Sequence, residues 1–141
     1  MNHRLNAPTQ TLRIAFGLTA TLAGLDKFFN FLADWSGYVS PLAARMLPLP
    51  VDVLMGIVAI DEIGVGITIL FLAPRIGAYV ASAWLLLVAF NLALGGHFDV
   101  AVRDIVMSIA AFTLARLVEV QDGALVRSAD RVAPAGHTVA A

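Results

Sequence analysis

The sequence predicts an all-α protein: a four-transmembrane-helix bundle with a short interfacial helix between helices 1 and 2. Three observations carry this. The 141 residues are 60% hydrophobic and only 13% charged, with a mean hydropathy of +0.85. A soluble domain has about 45–50% apolar and about 25% charged residues. Four apolar stretches each come near the roughly 20 residues that cross a hydrocarbon core of about 30 Å as helix. The polar residues embedded in those stretches fall in one half of the bilayer. Residues 1–141 are expected to form a single membrane domain.

Met1–Thr11 is polar and lacks an apolar run. The apolar stretch after it is too long for a signal sequence and no cleavage site follows, so the first helix is expected to be retained. The first span is read at about 11–33. Its centre holds Ala20-xxx-Gly24, a spacing that lets another backbone come close. Arg13 stands at its start, where its side chain is expected to snorkel to the interface. Asp26, Lys27 and Asn30 stand near its end.

The connection Asp34–Pro50 carries Trp35 and Tyr38, whose amphipathic rings suit a membrane–water boundary. Ser40-Pro41 before Leu42–Leu47 reads as the N-cap and first turn of a short helix. Pro48 and Pro50 end it. The second span, at about 51–73, places the adjacent carboxylates Asp61 and Glu62 at its middle. Ala73-Pro74-Arg75 makes a tight turn into the third span, at about 76–94. That span has Gly77-xxx-Ala81 and Ala78-xxx-Ser82 as small-residue faces and Asn91 near its end. Gly95-Gly96-His97 turns into the fourth span, at about 98–120, and the tail 121–141 is expected to be disordered at its end.

Four spans put both termini on one side, with Arg4, Arg13, Arg75, Arg116, Arg127 and Arg131. The other side receives Lys27, Arg45 and Arg103. This bias predicts a multi-pass protein of the inner (cytoplasmic) membrane with both termini cytoplasmic.

At 1.5 Å per helical residue, position along each span gives depth. Asp26, Lys27, Asn30, Asp61, Glu62, Asn91, His97, Arg103 and Asp104 then all lie in the extracytoplasmic half. A charged group at the bilayer centre costs ~2.5–3.5 kcal/mol on insertion scales, and such groups face the bundle interior and pair. Lys27, Arg103, Glu62 and Asp104 are therefore expected to form an ion-pair core, with Asp26, Asn30 and Asn91 completing hydrogen bonds. Helix phase refines this. Asp104, Ser108, Ala111 and Ala115 lie on one stripe of small residues suited to facing other helices. Glu62 shares a face with Ala59 and Gly66, which marks it as the interior carboxylate. Asp61 shares a face with Ile57 and Val65 and is expected to point to a second helix or a partner subunit.

The chain has no cysteine, which excludes disulfides and thiolate metal sites. Histidines are scarce and no Glu-x-x-His or His-x-x-x-His spacing occurs, so no metal site and no catalytic residues are assigned. His97, in a glycine turn, reads more simply as a solvated loop residue than as a ligand. The net charge of −1 gives no reason to expect nucleic-acid binding.

Arg13, Gly17, Gly24 and Lys27 in the first span, Glu62 with Gly64 and Gly66 in the second, and Ala101-Val102-Arg103-Asp104 opening the fourth resemble DoxX-like membrane proteins. The resemblance covers roughly residues 11–120. It implies a four-helix integral membrane protein of bacterial or archaeal type. It also implies association with membrane redox systems, such as the small subunit of a thiosulfate–quinone oxidoreductase or components of oxidative-stress and thiol defence. Asp61 and the proline-rich connection at 34–50 depart from the family's simplest pattern.

The resulting expectation is an accessory subunit or partner of a quinone-linked membrane redox complex. It would have no catalytic activity and no resident cofactor of its own, with bound quinone or lipid as the ligand the cluster would take. Its partners would be the lipid bilayer and a larger membrane redox subunit, or further copies of itself. Two rival readings remain: a small transporter or proton/ion relay built on the same cluster, and an enzyme with Glu62 or Asp61 as a base. The last is the weakest, because no nucleophile or cofactor motif accompanies the carboxylates.

Overall fold

In the computed structural model, which describes residues 3–132, every element is helical. The long helices are α1 (His3–Asp26), α3 (Val51–Ile67), α4 (Pro74–Leu94) and α5 (Phe98–Val132). A short α2 (Pro41–Met46) and a 3-10 turn (Trp35–Tyr38) occupy the connection between α1 and α3. The long helices run alternately up and down, with α1 packed mainly on α3 and α4 mainly on α5. Among the described residues, two helical stretches are long and apolar enough to cross a membrane: Val51–Leu72 and Pro74–Leu94.

Small residues set how closely the helices approach. A Cβ on Gly24 of α1 would lie 2.7 Å from the Ala59 carbonyl oxygen of α3. One on Gly66 of α3 would lie 2.7 Å from the Gly17 carbonyl oxygen of α1. Both distances are below contact, so the two backbones meet only because these side chains are absent. The α4–α5 seam sets Ala78 and Ala81 against the stripe of Asp104, Ser108, Ala111 and Ala115, all buried, while Gly77 lets α4 approach Ile69 at the end of the preceding span. Across it Ser82 and Ser108 bond reciprocally: the Ser82 hydroxyl donates to the Ser108 carbonyl at 3.0 Å, and the Ser108 hydroxyl to the Ser82 carbonyl at 2.8 Å. The four helices share one apolar cluster of Phe16, Ile69, Ala78, Ala81, Ala111, Leu114 and Ala115.

The first and last helices differ in extent from the sequence reading, while the second span ends within a residue of the expected position but in an irregular turn. The first helix starts well before residue 11 and stops at Asp26, short of residue 33. The cause is local. Asn30 adopts the left-handed conformation with φ 53°, tolerated by a short polar side chain, and its N–H closes on the Asp26 carbonyl at 2.6 Å. The second span ends in a π-helical turn, Thr68–Leu72, closed by the Ala73 N–H on the Thr68 carbonyl at 2.9 Å. The last helix does not stop near residue 120 but continues to Val132. Its 35 residues run about 52 Å, well beyond a ~30 Å hydrocarbon core. The end of the predicted tail lies outside the described residues, as does the start of the polar Met1–Thr11 stretch.

Helix ends are satisfied by side chains from other helices. Arg13 does not simply snorkel outward. Its Nε donates to the Ile69 carbonyl at 3.0 Å and its Nη2 to the Leu70 carbonyl. These are among the last carbonyls of a helix, which lack intrahelical donors, and a cation there also complements the helix dipole. Gln121 of α5 donates to the Leu5 carbonyl, 3.2 Å away, and to the Thr9 hydroxyl at 3.1 Å, joining the two terminal helices.

Candidate functional site

The site is assembled at the end of the bundle where α1 stops and α3 begins. The Lys27 ammonium donates to the Glu62 carboxylate, Nζ to Oε2, at 2.5 Å. The two residues are 35 apart in sequence and join α1 to α3. A buried pair of this kind is tolerated only where each charge has a partner, because either ion alone would carry a desolvation cost of several kcal/mol. Lys27 has a second contact: its Nζ sits 3.8 Å from the centroid of the Trp35 ring. A desolvated cation over an indole face gains up to about 2 kcal/mol.

Asp26 holds that indole in place. Its carboxylate accepts from the backbone N–H of Phe31 at 3.0 Å, from that of Leu32 at 3.0 Å, and from Trp35 Nε1 at 2.7 Å. Asp26 is thus a clamp for the chain reversal after α1. The connection is fixed from the other side by Asn91 of α4. Asn91 Nδ2 donates to the Tyr38 carbonyl at 2.8 Å, and its Oδ1 accepts from the Ser40 N–H at 3.1 Å. Ser40 caps α2 by accepting from the Ala43 N–H at 3.1 Å. His97, in the α4–α5 turn, meets the Tyr38 ring edge-on at 5.1 Å between centroids. The Trp35 and Tyr38 rings are 6.2 Å apart. The connection therefore bridges the α1–α3 pair to the α4–α5 turn.

The single four-residue ion-pair core expected from the sequence is corrected to two separate pairs. Arg103 bonds its immediate neighbour Asp104, Nε to Oδ1 at 2.9 Å, and its own side chain is largely exposed. Adjacent helical residues differ by about 100° in phase, so this pair does not cross between helices. The expected hydrogen-bonding roles are corrected too. Asp26 and Asn91 serve the connection rather than the ion pairs, and Asn30 is an exposed turn residue. Asp61 is exposed while Glu62 is turned toward Lys27. Sequence reasoning placed Trp35 and Tyr38 only at a membrane boundary. Their place over Lys27 and His97 depends on the α1 reversal, which the Asp26–Asn30 spacing alone does not announce.

A cavity of about 290 Å³ opens beside the pair, lined by Lys27, Phe28, Asn30, Ser36, Asp52 and Met55. It offers three donor side chains and one carboxylate against two apolar side chains, a lining suited to a small ligand with a polar head. Among the described residues no three metal-ligating side chains converge.

Fold and site together define an all-helical protein with two helices able to cross a membrane and an ion pair buried between two of its long helices. Comparison with family models, curated proteins and solved structures finds no match.

Proposed function

We propose that the chain is a DoxX-like integral membrane protein of four spans, acting as an accessory subunit of a quinone-linked redox complex. The observation that carries the reading is the Lys27–Glu62 pair, buried between α1 and a helix long and apolar enough to cross a membrane. Intramembrane ions that face each other mark functional positions by default. The membrane reading of α1 and α5 is supported by their outward side chains. Ile14, Leu18, Leu22 and Leu25 form an exposed stripe on α1, and Val102, Ile105, Val106, Ile109 and Phe112 form another on α5. Exposed apolar surface on this scale suits lipid or a partner helix. Both termini are placed in the cytoplasm by the arginine bias, and α2 with its flanking aromatics at the outer interface.

In this reading the cavity beside Lys27 takes the polar head of a quinone or lipid, and exposed Asp61 faces the partner subunit. The arrangement gives less support to an ion relay, because the helices meet in an apolar cluster toward the other end of the bundle. A native mass spectrum of the gently extracted protein tests the proposal. A complex with a larger redox subunit is expected. Homo-oligomers alone, with no bound quinone, would overturn it.

A further inference from the structure

A second cavity, of about 380 Å³, lies at the opposite end of the molecule, under the α3–α4 turn. That volume falls within the roughly 300–1,000 Å³ of small-molecule sites. Its polar wall is made by Arg13, Arg75, Gln121 and Asp122, and Pro74 and Val118 supply apolar lining. The turn joins the two helices able to cross a membrane, so the cavity sits where the apolar stretches end.

The charges there are arranged in a specific way. Glu119 is already occupied: it accepts from Tyr79 Oη at 3.0 Å and from Arg116 Nη1 at 2.6 Å, and lies 3.5 Å from Arg75 Nε. Three arginines therefore face two carboxylates, and Asp122 has no ion-pair partner among the described residues. Arg13 spends two of its N–H groups on carbonyls and keeps the rest of its five. The Ala73 cap of α4 provides no side-chain acceptor for the first amides of that helix. One part of the lining thus donates to an anion, while Asp122 in the same lining accepts from a cation.

We propose that this cavity binds a phosphoethanolamine group, supplied as the headgroup of an aminophospholipid. The phosphate lies against Arg75 and Arg13, and the primary ammonium against Asp122. The proposal rests on the membrane reading above and is independent of the redox partner.

The test uses the full chain in mild detergent, offered equal amounts of phosphatidylethanolamine, phosphatidylglycerol and phosphatidylcholine with identical acyl chains. Retention is read by native mass spectrometry. Wild type is expected to keep phosphatidylethanolamine about tenfold over the others, since phosphatidylglycerol lacks the cation and the choline ammonium has no N–H to donate. Arg75→Gln should lower retention of all three by about tenfold. Asp122→Asn should erase the preference for the amine without lowering phosphatidylglycerol. Arg45→Gln, on α2 at the other end, should change nothing and controls for lost charge. Equal retention of the three lipids by wild type, or equal effects of Arg75→Gln and Arg45→Gln, would overturn the proposal. Saturation by soluble phosphoethanolamine at concentrations where the lipid is displaced would reassign the site to a free phosphate compound and overturn the lipid assignment. Failure of the membrane reading would show separately, as recovery of the chain without detergent.

Discussion

The two ion pairs teach different things, although each joins a basic and an acidic residue from the same polar set. Lys27 and Glu62 have side chains 4% and 16% exposed and sit on different helices. Arg103 and Asp104 are 60% and 5% exposed and adjacent in sequence. Removing one member of the first leaves a charge stranded between α1 and α3. Removing Arg103 leaves the buried Asp104 carboxylate without its side-chain partner but breaks no contact between helices. The first pair holds helices together, and the second neutralises a carboxylate within one helix.

The largest effect is therefore expected at Lys27. Lys27→Met should cost about 3–5 kcal/mol in a detergent unfolding titration, the range for a buried pair reduced to a lone ion. It should also loosen Trp35, read as a red shift and faster quenching of tryptophan emission, because the cation under its ring is gone. Next in size is Gly66→Ala, which places a methyl group against the Gly17 carbonyl and should cost about 1–3 kcal/mol. A Gly66→Ala chain as stable as wild type would mean that α1 and α3 do not touch backbone to backbone. Arg103→Met should come next, at about 1–3 kcal/mol, because it leaves the buried Asp104 carboxylate without its partner but parts no helices. Ser108→Ala should be smallest, at about 0.6 kcal/mol, the average for polar contacts between membrane helices. If Arg103→Met proved as damaging as Lys27→Met, the contrast between the pairs would be wrong.

Much of the packing was legible because helical phase is a fixed rotation per residue. The 104-108-111-115 stripe follows from spacing alone, and the structure buries all four positions. The same rotation separated Glu62 from Asp61. Ser40-Pro41 announced α2 because a capping hydroxyl followed by proline has a strong local meaning.

What spacing could not supply was the course of the chain after Asp26. Read as one more helical turn, it would have put Asp26, Lys27 and Asn30 on a span. The left-handed Asn30 instead reverses the chain and brings Trp35 back over Lys27. Arg13 was misread for a similar reason. Its carbonyl partners become available only because α3 ends in a π-helical turn, and nothing in TILFL marks that ending. The expectation of one ion-pair core failed because position along a helix gives depth but not which helices pack against each other. Residues at one level of a bundle can still belong to different helix pairs.

The measurement that bears most directly on the Lys27–Glu62 pair is a double-mutant cycle. Lys27→Met, Glu62→Leu and the double variant would be compared by unfolding in the same detergent. A coupling above about 1.5 kcal/mol is expected, with the double variant more stable than either single one. Additivity within about 0.5 kcal/mol would contradict the claim that this pair is the interior link between α1 and α3.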